Sequence, residues 1–236
     1  MQEKIIGILG GMGPEATGDL FLKIIKATPA KRDQNHLRII IDNNPKIPER
    51  TSAILGKGKS PLKQLQETLH NLEKAGAEVI AMPCNTAHYY YNELQASANV
   101  PIINMISETV AHIYQNFPNI KKVGLLATTG TVKSRIYHKA ITKMGVITPD
   151  DSEQEIVMDA IYGEQGIKAG FTQGKSRNAL LEVAKGLINR GAEAIIIGCT
   201  EVSLVLTQED LPVPLIDALQ VLAEAVIREA KLRPQS

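Results

Sequence analysis

An internal repeat constrains this chain more than any other feature, because it carries both cysteines. Gly76-Ala77-Glu78-Val79-Ile80-Ala81-Met82-Pro83-Cys84-Asn85 lines up with Gly191-Ala192-Glu193-Ala194-Ile195-Ile196-Ile197-Gly198-Cys199-Thr200, which sets the two cysteines 115 positions apart. Ile6-Gly7-Ile8-Leu9 with Gly13 matches Val123-Gly124-Leu125-Leu126 with Gly130 at a spacing of 117, and Val100-Pro101-Ile102-Ile103 matches Val213-Pro214-Leu215-Ile216 at 113. Three blocks in the same order at nearly constant spacing point to two related units of about half a chain each, an ordinary domain size. A Gly-Ala-Glu step into an apolar run is common among α/β proteins. That commonness does not explain why the only two cysteines fall into register.

The runs Ile5–Leu9, Arg38–Asp42, Val79–Met82, Val123–Leu126 and Ala194–Ile197 are short and nearly continuously apolar, as strands buried on both faces of a parallel sheet are. Amphipathic stretches lie between them. Pro61–Lys74 starts after Ser60 as N-cap and stops at Gly76, while Ser176–Arg190 has a polar start and stops at Gly191. Alternation of this kind predicts an α/β fold of two pseudo-symmetric Rossmann-like domains with parallel sheets. The closing segment Pro212–Arg233 matches Val100–Ile113, the start of the connection between the units, so it is expected to return to the first. The expected domains are therefore residues 1–100 plus 213–236, and 101–212.

Composition narrows the class. Apolar residues at 44% and charged residues at 22% exclude a disordered or collagen-like chain. With 26 basic against 25 acidic side chains the net charge is +1, with no basic block, so neither nucleic acid nor an anionic membrane is expected as a partner. The opening apolar run Ile5–Leu9 is too short for a signal h-region or a membrane span. Two cysteines without a secretory signal argue against a disulfide framework, and a cytoplasmic protein is expected.

Cys84 and Cys199 each follow a buried strand and begin a loop toward a helix, where open α/β sheets bind ligands. Turn amides and a helix N-terminus are expected to lower a thiol pKa there. A lone free cysteine is usually a small buried hydrophobe; a symmetric pair at strand ends fits that role poorly. No CxxC or His-x-Cys cluster supports zinc, and only His88 lies near, four residues after Cys84. Two identical acid/base groups suit one task. Inverting a stereocentre needs a base on one face and an acid on the other, with donors to stabilise the carbanion. Asn85-Thr86 and Thr200-Glu201 supply candidate donors for a substrate carboxylate, or caps for the helices that follow, and both readings stand. The Gly10-Gly11-Met12-Gly13-Pro14 loop lacks GxGxxG spacing and a P-loop Lys, so its glycines read as allowing close backbone approach.

The segments Gly10-Gly11-Met12-Gly13-Pro14-Glu15-Ala16-Thr17, Asn43-Asn44-Pro45 with Pro48-Glu49-Arg50, Pro83-Cys84-Asn85-Thr86-Ala87-His88 and Gly198-Cys199-Thr200-Glu201 together resemble the aspartate/glutamate racemase superfamily, and most its cofactor-independent aspartate racemases. The resemblance spans essentially the whole chain. It implies an active site in a cleft between the two domains, a homodimer, a small acidic amino acid as substrate, and racemisation without PLP or metal. It implies Cys84 and Cys199 as the acid/base pair, with Met12, Arg50, Asn85, Thr86, Ala87, Lys168, Thr200 and Glu201 at the substrate. By default a lone Arg or Lys is a solvated surface charge; only the resemblance assigns Arg50 and Lys168 to substrate carboxylates. Glutamate racemases usually carry an acidic residue and Ser in the first glycine loop and Cys-Thr-His at the second cysteine. Met12 and Glu201 stand here instead, which favours the aspartate type or a broad-specificity amino-acid racemase. A maleate-type isomerase and a non-catalytic bilobed binding protein are the competing readings.

Overall fold

The computed structural model describes residues 3–231. In chain order the elements are β1 (Ile6–Gly10), α1 (Pro14–Ala27), β2 (Ile39–Asn43), α2 (Arg50–Ile54), α3 (Leu62–Lys74), β3 (Val79–Ala81), α4 (Tyr91–Ser97), α5 (Met105–Asn116), β4 (Lys122–Ala127), α6 (Thr129–Ser134), α7 (Ile136–Ala140), β5 (Gly145–Ile147), α8 (Asp151–Tyr162), α9 (Lys175–Asn189), β6 (Ala194–Gly198), β7 (Leu215–Asp217) and α10 (Ala218–Lys231). The strands form two all-parallel sheets, one ordered β2-β1-β3 and one ordered β5-β4-β6-β7. None of the described helices is long and apolar enough to cross a membrane.

The chain divides into two compact units: residues up to Glu108 with those from Leu219, and Thr109–Ala218. These limits lie several residues beyond the expected 100/101 and 212/213, and backbone pairing explains both shifts. Ile80 bridges to Ile102, donating to Pro101 O at 2.9 Å and accepting from Ile103 N–H at 2.8 Å, which keeps the segment after residue 100 with the first sheet. In the second sheet β7 pairs with β6, so the chain stays there through Asp217. The body of α10 joins the first unit, where Ala230 O accepts from Lys4 N–H at 2.9 Å, Glu229 pairs with Lys4 at 2.5 Å and Arg228 reaches Glu108 at 2.6 Å. The outer ends of the expected first domain, residues 1–2 and 232–236, lie outside the described residues.

The sequence repeat is also a repeat of contacts. At the end of α3, Gly76 adopts φ 97° and Ala77 N–H returns to Leu72 O at 3.0 Å; after α9, Gly191 adopts φ 96° and Ala192 N–H returns to Leu187 O at 3.1 Å. With Gly76 N–H on Glu73 O and Gly191 N–H on Ile188 O, both are Schellman caps, which need the left-handed residue that glycine supplies. The glutamate after each cap carries the chain into the sheet: Glu78 accepts from Ile5 N–H at 2.8 Å, and Glu193 from Lys122 N–H at 3.1 Å. A Cβ on Gly7 would lie 2.7 Å from Ile80 and 2.8 Å from Ala77, and a Cβ on Gly124 would lie 2.6 Å from Ile195 and 3.2 Å from Ala192. The two central strands thus accept their neighbours through equivalent glycines.

Three expectations need correction. Arg38–Asp42 is not buried on both faces, because β2 is the edge of its sheet and leaves Ile41 40% exposed. Pro61, not Ser60, caps α3; the Ser60 hydroxyl still accepts from Leu62 N–H at 3.3 Å. The second amphipathic helix begins at Lys175, one residue before the expected Ser176, whose hydroxyl donates to Gln165 O at 2.7 Å. Each unit has its own core: Leu65, Leu69 and Leu72 of α3 pack with Leu9, Ile80 and Met82, and Leu180, Val183 and Leu187 of α9 pack with Leu126, Ile195 and Ile197. At about 1.5–3 kcal/mol for each such side chain fully buried, these faces supply the main drive for folding.

Candidate active site

In the first unit the loop after β3 presents Cys84, which is 5% exposed and packs in one cluster with Met12, Ile47 and Ala87. The backbone turns tightly there, Cys84 N–H donating to Met82 O at 2.8 Å. Asn85 and Thr86, both buried, follow directly. His88 clamps this loop: its Nε2 accepts from Met105 N–H at 3.1 Å, so its Nδ1 carries the proton and donates to Cys84 O at 2.8 Å. Burial lowers the His88 pKa against the opposing pull of the Cys84 and Ile103 backbone and keeps the ring neutral. His88 therefore shapes the cysteine loop through the backbone.

The first glycine loop lies against the segment after β2. A Cβ on Gly11, whose φ is 96°, would stand 2.3 Å from the Asn44 backbone, so the close approach expected of these glycines is present. Thr17, to which the sequence pattern assigns no role, ties the loop by accepting from Gly11 N–H at 2.9 Å and donating to Gly13 O at 3.0 Å. Arg50 opens α2 and is only 7% exposed, unlike a solvated surface charge. Its guanidinium donates to Pro48 O at 3.2 Å and to Ile47 O and Met12 O at 3.3 Å, which joins α2 to the glycine loop. Burial raises the pKa of its neighbour Glu49, but bonds from Ser52 and Thr51 and the charge of Arg50 outweigh it and hold Glu49 ionised.

In the second unit Cys199 follows β6 and is likewise 5% exposed. Its Sγ–H donates to Glu201 Oε2 at 3.2 Å, and the Thr200 hydroxyl donates to the same oxygen at 3.3 Å. The other oxygen, Oε1, takes an ion pair from Lys168, whose Nζ also lies 5.4 Å from the centre of the Tyr162 ring. Burial would raise the Glu201 pKa, but Lys168 and then the thiol bond hold the carboxyl below its usual value. Thus Glu201 and Lys168, both expected at the substrate, hold each other beside Cys199. The expectation of a lowered thiol pKa fails at Cys199. Burial first, then the Glu201 carboxylate, push this thiol well above its ordinary range against the opposing pull of Lys168. After Cys84 the 3₁₀ segment Thr86–Tyr90 runs directly into α4, as expected, whereas after Cys199 the expected helix is only the single 3₁₀ turn Val202–Leu204.

Each unit therefore builds its own cluster, with Met12, Arg50, Cys84, Asn85, Thr86 and Ala87 in the first and Lys168, Cys199, Thr200 and Glu201 in the second. Among the described residues no group of three or more His, Cys, Asp or Glu side chains is placed to hold a metal ion. Residues 9–226 match the family model described as Asp/Glu/hydantoin racemase. The chain belongs to the Asp/Glu/hydantoin racemase family. Within that family it is 31% identical over 229 residues to the broad specificity amino-acid racemase RacX of Bacillus subtilis (strain 168), covering 94% of this chain and 96% of that one. It resembles the solved Picrophilus torridus aspartate racemase with TM-score 0.86 and 33% identity, over 98% of this chain and 95% of that one. An aspartate racemase homologue from Pyrococcus horikoshii OT3 matches with TM-score 0.75 and 28% identity, over 98% and 100% of the two chains. Membership of this family makes the protein an amino-acid racemase and sets aside the non-catalytic binding protein.

Proposed function

We propose that this racemase interconverts the enantiomers of a small acidic amino acid, aspartate first, with Cys84 and Cys199 as the two acid/base groups and no organic cofactor. The equivalence of the thiols carries the reading. The pairing of Ile6 with Val79 in one sheet recurs as Val123 with Ala194 in the other, so each cysteine follows the equivalent strand of its own unit. One sulfur, as thiolate, takes the α-proton; the other, as thiol, gives its proton to the opposite face, and the pair is left ready for the reverse direction. Asn85, Thr86 and Thr200 bind the α-carboxylate and stabilise the charge that develops on it. Arg50 and Lys168 favour a dicarboxylic substrate. The Picrophilus torridus neighbour, named an aspartate racemase, supports aspartate.

A broad-specificity racemase is the second reading. It draws support from the likeness to RacX and from the Lys168–Glu201 pair, which already balances the lysine's charge. We further propose a cytoplasmic homodimer; the exposed Leu22 and the β2 edge with Ile41 are apolar surface suited to a second copy. Incubation with L-aspartate in deuterium oxide tests the function. The α-proton signal should disappear as D-aspartate forms. Exchange of neutral amino acids at comparable rates would replace aspartate by the broad reading, and conversion of maleate to fumarate alone would indicate an isomerase. No exchange with any amino acid would overturn the proposal.

A further inference from the structure

The two thiols are equivalent in the repeat but not in their surroundings. Beside Cys199 stands a carboxylate, Glu201, 3% exposed. A carboxylate can only accept a hydrogen bond, so the 3.2 Å contact from Sγ to Glu201 Oε2 requires a proton on sulfur. The Lys168 ion pair on the other oxygen keeps Glu201 ionised and therefore an acceptor. A thiolate at this position would place two buried anions in contact. Among the described residues, the charged groups that act on this sulfur are Glu201 of its own loop and Lys168 of the turn Ile167–Ala169, with Tyr162 of α8 beneath Lys168. The Cys84 loop carries no acid in the corresponding place: Asn85-Thr86 stands where Thr200-Glu201 follows Cys199.

We infer that Glu201 holds Cys199 as the protonated partner in the resting enzyme, so that Cys199 is the resting acid and Cys84 the resting base. Glu201 is then a positioning residue for the sulfur's proton, not a substrate ligand. As Cys199 gives its proton to Cα, the S–H bond breaks and the C–H bond forms. The new thiolate faces Glu201, and this repulsion favours return of a proton from substrate or solvent. The assignment of acid and base rests on the two-thiol reading above, whereas the protonation state does not.

The test uses the full chain with its cysteines labelled at Cβ with ¹³C. With only two cysteines, two signals report the two sulfurs directly and without any need for reagent access. Across a pH titration the Cys199 signal should remain at the thiol position through about pH 8.5, the ordinary cysteine midpoint. In Glu201→Gln, which keeps the shape but removes the charge, the Cys199 midpoint should fall by about one pH unit or more, while the Cys84 signal stays where it was. A wild-type Cys199 that ionises at or below the ordinary midpoint overturns the inference, and that measurement needs no variant. A Cys199 midpoint unchanged or raised in Glu201→Gln overturns it too. Failure of the racemase reading would show instead in the α-proton exchange assay, with these titrations unaffected.

Discussion

The partners of Arg50 and Lys168 decide what removing either would do. Arg50 donates to three carbonyl oxygens, so Arg50→Lys loses structural bonds of about 0.5–1.5 kcal/mol each as well as the fork that would grip a carboxylate. Urea unfolding should show a loss of about 1–2 kcal/mol, together with a fall in kcat/KM for aspartate of about tenfold or more, as expected for one charge-assisted bond. A fall below threefold would return Arg50 to a structural role. Lys168→Met leaves Glu201 buried without its cation, and such a change typically costs about 3–5 kcal/mol. Adding Glu201→Gln should restore most of that stability. If the double variant is no more stable than Lys168→Met, the pair is not what holds this loop. The sequence shows the two cysteines plainly, because one repeat displays both. It does not show the state of Cys199, because that depends on Lys168, 33 positions from Glu201 and brought there only by the fold. The role of His88 was hidden for the same reason, since its second partner is the backbone of Met105.

At the scale of elements, the central strands are the most sensitive part of the duplication. A methyl group at Gly7 or Gly124 would enter space already held by Ile80 and Ala77, or by Ile195 and Ala192. Gly7→Ala and Gly124→Ala should each destabilise by about 1–3 kcal/mol, the usual cost of overpacking, and should do so to similar extents in denaturant titrations. A neutral result at either site would mean that the strand contacts are looser than the repeat implies. The long apolar strands and the α3 and α9 helices are legible because burial writes their pattern into the sequence. β5 and β7 are not, since Gly145 opens the one and Asp217 closes the other, which leaves no continuous apolar run such as the one that betrays β3, and their strand state comes from pairing with β4 and β6. Val213-Pro214-Leu215-Ile216 was visible as a repeat block, yet only the sheet shows it as a strand entry, with Ile195 N–H on Pro214 O as Ile80 N–H is on Pro101 O, both at 2.9 Å.

At the scale of the whole molecule, duplication gives each unit one cysteine at the same place in the same sheet order, and the substitution of Thr200-Glu201 for Asn85-Thr86 makes the two chemically distinct. On the proposed two-thiol mechanism, racemisation needs one sulfur charged and the other protonated, so neither could be spared and the pH–rate profile would belong to the pair. Deuterium incorporation from solvent into L- and D-aspartate by Cys84→Ser and by Cys199→Ser, with folding checked in parallel, tests this account most directly. Both variants should lose racemisation by a factor on the order of 10² or more, because a serine hydroxyl is a far weaker acid than a thiol. Cys199→Ser should still exchange the α-proton of one enantiomer through Cys84, whereas Cys84→Ser, left with the sulfur that Glu201 keeps protonated, should exchange the opposite enantiomer more slowly. Racemisation by either variant at near the wild-type rate would contradict the paired-thiol mechanism and leave the cysteine symmetry as a relic of duplication.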